Sequence, residues 1–121
     1  MFHRSPLPDI DLPESTLFAL LESDSPALTE IDTGRSVTYA ELRALALGTA
    51  SALVARGVGP GSVVELRMPN SINFAAGLLG ASATGATVCL IGHSLLDDEA
   101  RHLAALANAT DHVRADDIRP G

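Results

Sequence analysis

The chain has 121 residues, of which 46% are hydrophobic and 19% are charged. This length and composition predict one globular domain and not a disordered chain. The formal net charge of −7 argues against a nucleic-acid partner, because phosphate binding needs a basic surface. No apolar run approaches the roughly 18 residues that cross a bilayer, so we expect no membrane partner either.

The basic residues and the cysteine narrow the chemistry further. All eight basic residues are arginine and the chain has no lysine. A mechanism that needs a lysine ammonium as a phosphate clamp or nucleophile is therefore excluded for this chain alone, and the pKa of arginine stays too high for base catalysis. Residues 1–15 lack the apolar core of a secretory signal, and Cys89 is the single cysteine, so we expect a cytoplasmic protein.

The first quarter of the chain predicts an arm followed by a short helix. Residues 1–14 contain three prolines and are expected to be extended. Ser15 is placed to cap a short helix over 16–22. We therefore predict an N-terminal arm over 1–14 and a single α/β domain over 15–121.

A hairpin and a long helix are predicted next. Strands over 27–31 and 36–38 flank the turn at 32–35, where Gly34 supplies the positive φ that the turn needs. Thr38 and Glu41 form a capping-box pattern, and the apolar residues that follow keep a 3.6-residue period to about Arg56.

The stretch from Gly57 to Gly85 predicts half of a strand–helix–strand crossover. A β-favouring run covers 62–68, Asn70 is the predicted N-cap of a helix, and Gly85 suits its left-handed stop. The second strand is predicted over 87–91. The helix is expected to bury one face, formed by Phe74, Leu78 and Ala81 with Ala75, Leu79 and Ser82 beside it.

A last helix and strand complete the prediction. Ser94 is the expected cap of the helix, and a short strand is expected over 112–114. The apolar face of this helix is formed by Leu96, Ala100, Leu103, Leu106 and Ala107. The element order predicts an α/β fold of three-layer-like form, in which a small parallel βαβαβ sheet is preceded by a β-hairpin.

Few residues suggest chemistry. Gly57, Gly59 and Gly61 resemble a phosphate loop, but they follow a helix and precede a strand, which favours a tight connection. Cys89 lies in an apolar strand and is expected to be a buried, inert thiol. Ser94 has no partners that suggest a nucleophile–base arrangement, and consecutive acids at 97–99 suit a helix N-terminus better than catalysis.

The histidines predict no metal site. His3, His93, His102 and His112 show no ligand spacing with one another or with cysteine, so no metal and no cofactor is expected. His93 follows the end of a predicted parallel strand, where open α/β sheets place ligands. It is the one weak catalytic candidate, and a plain loop histidine is the alternative.

Several motifs in register resemble the N-terminal core of the adenylate-forming (AMP-dependent synthetase/ligase) superfamily, and 4-coumarate–CoA ligases in particular. Residues 37–42 (VTYAEL) match its first core motif. The glycine-rich turn at 57–61, the strand, Pro69-Asn70-Ser71 and Gly85-Ala86 follow in the family's order, and residues 2–13 are similar to the start of 4-coumarate–CoA ligases. Residues 90–93 (LIGH) depart from the family, which usually has a proline or another small residue after this strand.

The resemblance implies the first subdomain of an acyl-CoA ligase, in a chain four to five times shorter than typical members. The family's phosphate loop, adenine motif, ribose-binding aspartate and catalytic lysine lie beyond residue 121, so no ATP binding is expected of the isolated chain. We expect a truncated, non-catalytic protein that acts as an interaction or auxiliary subunit, as a homodimer or with a protein partner. The alternatives are one piece of a split ligase, a small repurposed enzyme using His93, and a degenerate fragment.

Overall fold

The structure is a computed structural model that describes residues 26–121. The predicted arm over 1–14 and the predicted helix over 16–22 lie outside the described residues. The described elements are, in chain order, β1 (Pro26–Thr29), β2 (Ser36–Thr38), α1 (Tyr39–Ala55), β3 (Val63–Leu66), α2 (Ile72–Ala83), β4 (Thr87–Leu90), α3 (Asp97–Leu106), β5 (Asp111–His112) and a 3-10 turn (Ala115–Asp117).

β1 and β2 form the predicted antiparallel hairpin. Gly34 has a φ of 73°, as the turn requires. β1 ends at Thr29, two residues earlier than predicted, because Glu30 already belongs to the turn. Its N–H donates to the carbonyl of Arg35 (2.7 Å) and its own carbonyl accepts from Gly34 N–H (2.8 Å).

α1 begins and ends where the sequence predicts. Thr38 Oγ1 accepts from Glu41 N–H (3.1 Å), and Glu41 Oε1 accepts from Thr38 N–H (2.9 Å), so the capping box is confirmed. Gly57 has a φ of 91°, which lets the chain leave the helix without steric cost.

The parallel sheet has the strand order β4-β3-β5. β3 pairs in parallel with β4, from Val63 opposite Thr87 to Leu66 opposite Leu90, and also with β5. The crossovers β3–α2–β4 and β4–α3–β5 step in opposite directions across the sheet, so right-handed connections place α2 and α3 on opposite faces. The three-layer α/β prediction is confirmed. The strands are shorter than predicted at their ends, and the last one begins at Asp111 instead of His112.

The core lies between the sheet and the α1/α2 layer. Val64 and Leu66 of β3 and Leu53 of α1 are fully buried there. A second cluster joins the hairpin to the two helices through Val37, Leu42, Leu45, Ile72 and Ala76. The two clusters fix the hairpin and the sheet to the same pair of helices.

α1 and α2 approach each other closely at Gly80. A Cβ atom at Gly80 would lie 2.6 Å from Thr49 Cβ and 2.7 Å from the carbonyl oxygen of Ala46. Thr49 is fully buried, and its hydroxyl donates to the carbonyl of Leu45 (2.8 Å). The helix pair therefore depends on a residue without a side chain at this point.

Two details predicted for α2 are wrong. Its N-cap is Ser71 and not Asn70, because Ser71 is in the extended conformation and its Oγ accepts from Phe74 N–H (3.1 Å). The predicted face is also rotated, since Phe74 and Leu78 are only half-buried. The buried stripe is formed by Ile72, Ala76, Gly77, Gly80 and Ala81.

The predicted cap of α3 is also wrong. The helix begins at Asp97, so Ser94 lies too early to cap it. Glu99 accepts from the N–H of Leu96 instead (3.1 Å). Only Ala100 of α3 is buried, and the rest of the predicted apolar face is not.

Candidate functional site

A cleft of about 500 Å³ lies at the carboxyl ends of β3 and β4. Phe74, Leu90 and Ile91 form its apolar part, and Asn70, His93 and Ser94 supply polar groups. This is the edge of a parallel sheet where ligands of α/β proteins bind. His93 is therefore next to a cleft, as its position in the sequence suggested.

The surroundings of His93 do not yet make a catalytic centre. His93 and Ser94 are both exposed. No hydrogen bond to another residue of the described range 26–121 orients the imidazole, and an acid–base residue needs such an orienting partner or a bound substrate. His93 stays a candidate whose role depends on what fills the cleft.

A second cleft, of about 650 Å³, separates the hairpin turn from the start of α2. Glu30 is one of the residues that line this cleft. One carboxylate oxygen accepts from Ile72 N–H (2.8 Å) and the other from the hydroxyl of Thr33 (2.7 Å). The hydrogen bond from Thr33, which has the larger effect, and the one from Ile72 N–H both lower the pKa of Glu30 below its usual value. Glu30 thus caps α2 from a position 42 residues earlier, and sequence reasoning missed this.

The strongest charge cluster joins the end of α1 to the C-terminal segment. Arg56 donates from Nη1 to Asp117 (2.5 Å), from Nε to Asp111 (3.1 Å) and from Nη2 to the carbonyl of His112 (3.0 Å). Asp117 is buried and also accepts from Arg114 N–H (2.8 Å). Every strong donor and acceptor here has a partner, so the cluster acts as a structural clamp.

The pKa values of the clamp agree with this reading. Hydrogen bonds to Asp117 and Asp111 raise the pKa of Arg56. Burial is the largest single effect and acts to raise the pKa values of Asp117 and Asp111. The hydrogen bonds from Arg56, the backbone N–H hydrogen bonds and the nearby positive charges together outweigh it, so both pKa values are lowered. The three groups therefore stay charged near neutral pH and have no proton to exchange in a reaction.

The glycine-rich connection is a turn, as predicted. Gly57 and Gly61 have φ values of 91° and 89°. Gly59 N–H donates to Ser62 Oγ (3.1 Å), which uses a backbone donor that a phosphate loop would keep for its ligand. The turn lies between α1 and β3, so no helix N-terminus points at it.

The remaining candidates are spread over the surface. His102 and His112 are exposed and Cys89 is half-buried. Within residues 26–121, no three His, Cys, Asp or Glu side chains are grouped so that they could hold a metal ion. None of the helices described in this range is long and apolar enough to cross a membrane.

α3 presents an apolar face to solvent. Leu96 is 71% exposed, Leu103 42% and Leu106 67%. Arg67 ties the start of the helix to the sheet by donating to Asp97 Oδ1 (3.0 Å) and to the carbonyl of Leu95. We refer to Leu96, Leu103 and Leu106 as the leucine face. A stable helix normally turns such a stripe to a core, so the leucine face is an apolar surface that the described residues leave uncovered.

Comparisons with known proteins agree with this fold. Residues 19–117 match the family described as AMP-binding enzyme. The chain is 38% identical to 4-coumarate–CoA ligase 3 of Arabidopsis thaliana over 90 residues, which are 69% of this chain and 16% of that enzyme. It is 35% identical to 4-coumarate-CoA ligase 1 of Narcissus pseudonarcissus over 113 residues, or 88% of this chain and 21% of that enzyme.

A solved structure gives the same result. The N-terminal domain of FACL13 from Mycobacterium tuberculosis superimposes with a TM-score of 0.70 at 25% identity, covering 86% of this chain and 34% of that domain. This chain therefore spans about a fifth or less of the curated ligases and about a third of the solved domain. The match extends over the hairpin, both core helices and the parallel sheet, and the chain belongs to the family of AMP-binding enzymes.

Proposed function

We propose that this chain is a non-catalytic, CoA-ligase-like subunit that acts by binding another protein. The observation that supports this best is the leucine face. Two leucines of this ten-residue helix and the leucine at its N-cap are 42–71% exposed, while the helix buries a single alanine. Burial of these side chains would contribute roughly 25 cal/mol for each Å² of apolar area removed from water, which offsets the entropic cost of association.

The charged groups of the chain support a structural role. The best-formed cluster, Arg56 with Asp111 and Asp117, is internally satisfied. The chain has no lysine, and its glycine-rich turn does not have the strand–loop–helix order of a phosphate loop. We expect no ATP site on this chain alone, and we place its role in the cytoplasm, where a lone cysteine stays reduced.

The leucine face can be tested by affinity capture with matched variants. We would compare the tagged chain with a Leu103→Glu/Leu106→Glu variant in extracts of its own cells. Glutamate keeps the helix but opposes burial, so the variant should lose a stoichiometric partner that the unchanged chain retains. Val54→Glu is the control, because Val54 is a 56% exposed apolar residue on another helix, α1.

The result can contradict the proposal in two ways. Equal capture by the unchanged chain and by the double variant would show that the leucine face binds nothing. Loss of capture with Val54→Glu as well would point to a general effect of added charge. Circular dichroism of the unchanged chain and both variants shows whether each is folded.

The second candidate is one piece of a split carboxylate–CoA ligase. The lengths favour it, because the chain matches only 16% of the Arabidopsis ligase and 34% of the solved N-terminal domain. In that case a second polypeptide would supply the rest of the ligase. Mixing the two and measuring carboxylate-dependent pyrophosphate exchange tests this idea, and no exchange over a broad panel of acids would rule it out.

A further inference from the structure

β4 is an unprotected edge strand. Within residues 26–121 it pairs with β3 on one side only. Its four residues, Thr87–Leu90, include no charge and no proline, and its register with β3 has no bulge. Exposed edges normally contain such features, because a regular uncharged edge pairs with other strands. The opposite edge, β5, has only two residues, and both have ionisable side chains.

The free hydrogen-bonding groups of β4 can be assigned from its pairing. Thr87 N–H donates to the carbonyl of Ser62, and Ile91 N–H donates to the carbonyl of Leu66. The backbone groups of every second residue, 87, 89 and 91, therefore face β3. In a parallel ladder the residues between them face the other way. Val88 and Leu90 therefore direct their N–H and C=O groups to the open edge.

We propose that β4 pairs antiparallel with β4 of a second copy of this chain, with the two Cys89 residues opposite each other. In this register Val88 of each copy faces Leu90 of the other, so all outward N–H and C=O groups of the two strands are satisfied. A register centred on Val88 would place Leu90 opposite Ala86, whose N–H already donates to Thr84 Oγ1 (3.2 Å). The Cys89-centred register therefore satisfies every outward group of Val88 and Leu90, whereas the Val88-centred register leaves the Leu90 carbonyl of each copy without a donor.

The charge distribution favours a second copy over an unrelated partner. A two-fold axis brings every charged group near it close to its own duplicate, which is repulsive for a chain with a net charge of −7. Residues 85–92 contain no charged side chain. The strand is thus a place where two acidic copies can meet without like charges facing each other.

The neighbouring layer also allows this pairing. Two strand spacings of about 4.8 Å would separate the two copies of α2 by about 10 Å, which is an ordinary helix-packing distance. Phe74 and Leu78 of α2 are half-buried against the cluster that includes Val88. Leu90 is 58% exposed and would be covered by the second copy. This inference rests on the proposed function, since it assigns one of the surfaces of an interaction subunit and leaves the leucine face for the partner.

Oxidative cross-linking of the native cysteine tests the register. Antiparallel residues that are not hydrogen-bonded to each other have Cα atoms about 4.5 Å apart, within the about 4.4–6.8 Å range of disulfides. Copper–phenanthroline treatment of the purified chain should therefore give a covalent dimer at Cys89 that a reductant reverses. Sedimentation equilibrium should show the dimer before oxidation.

Two variants of similarly exposed apolar residues test whether the edge of β4 forms the dimer. Leu90→Lys should raise the dissociation constant of the dimer at least about tenfold, whereas Val54→Lys, at an apolar residue of similar exposure on α1, should leave it unchanged. A monomeric unchanged chain, a dimer without the Cys89 cross-link, or a dimer insensitive to Leu90→Lys would overturn the inference. Capture of a partner through Leu103 and Leu106 is measured separately, so failure of the edge pairing is distinguishable from failure of the proposed function.

Discussion

Arg56 is the residue on which the C-terminal segment depends. It links the end of α1 to Asp111 and Asp117, 55 and 61 residues further along the chain. Asp117→Ala should lower the free energy of unfolding by about 2–3 kcal/mol, because the half-buried Arg56 loses the buried carboxylate that is its best partner. Urea denaturation measures this loss. Asp116→Ala is the matched control, since Asp116 is exposed in the same turn, and an equal loss there would contradict the clamp.

The clamp also predicts a pH dependence. The pKa values of Asp111 and Asp117 are lower in the folded chain than in the unfolded chain. Their contribution is therefore fully present above the unfolded pKa, near 4, and is lost as the pH falls through the lowered folded values. Urea midpoints measured from pH 7 down to pH 3 should fall at the acid end, and Asp117→Ala should reduce that fall. A variant with an undiminished fall would show that other carboxylates cause it.

Gly80 tests the contact between α1 and α2. Alanine at a helix position normally stabilises by about 1 kcal/mol relative to glycine. At Gly80 the added Cβ would meet backbone and a buried threonine at 2.6–2.8 Å, so we expect Gly80→Ala to destabilise by about 1–3 kcal/mol instead.

Gly77 supplies the control for that substitution. It lies on the same helix, but its nearest contact is the end of the Leu66 side chain at 3.2 Å, which can move. Gly77→Ala should change the thermal midpoint little. If Gly80→Ala were as stable as Gly77→Ala, the close approach of the helices would be wrong.

At the scale of elements, the capping box sets the start of α1. Thr38→Ala removes the acceptor for Glu41 N–H and should cost about 1 kcal/mol of unfolding free energy. Thr38→Ser keeps the hydroxyl and should restore most of that stability. A stability loss shared equally by both variants would mean that the methyl group of Thr38, and not its cap, matters.

Elements with local signals could be predicted from the sequence. The hairpin turn at Gly34, the capping box at Thr38 and Glu41, and the stops at Gly57 and Gly85 depend on residues a few positions apart. The parallel order of the central strands followed from the alternation of strand and helix patterns.

The features that the sequence did not predict depend on contacts between residues far apart in the chain. Asn70 and Ser71 are both favourable N-cap residues, so the sequence alone does not choose between them. In the structure Ser71 is the cap, and Glu30 of the hairpin accepts a hydrogen bond from the N–H of Ile72, the next residue. The face of α2 is set by how closely α1 approaches Gly80, and the Arg56 clamp joins residues more than 50 positions apart. No local pattern encodes these distances.

For the whole molecule, the fold and the family were predictable but the site was only partly so. His93 was placed correctly beside a cleft, because residues after parallel strands gather at one edge of the sheet. The exposure of the leucine face could not be predicted from the sequence of α3, because an apolar stripe on a helix normally predicts a buried face. Only the three-dimensional arrangement shows that nothing among residues 26–121 does so.

We propose that this chain acts through a binding surface and not through an adenylating reaction. Titration calorimetry of the purified chain with Mg²⁺–ATP tests it most directly. We expect no saturable heat of binding up to millimolar ATP, because the chain's phosphate-loop-like glycines form a turn and it has no lysine. A micromolar dissociation constant would contradict it.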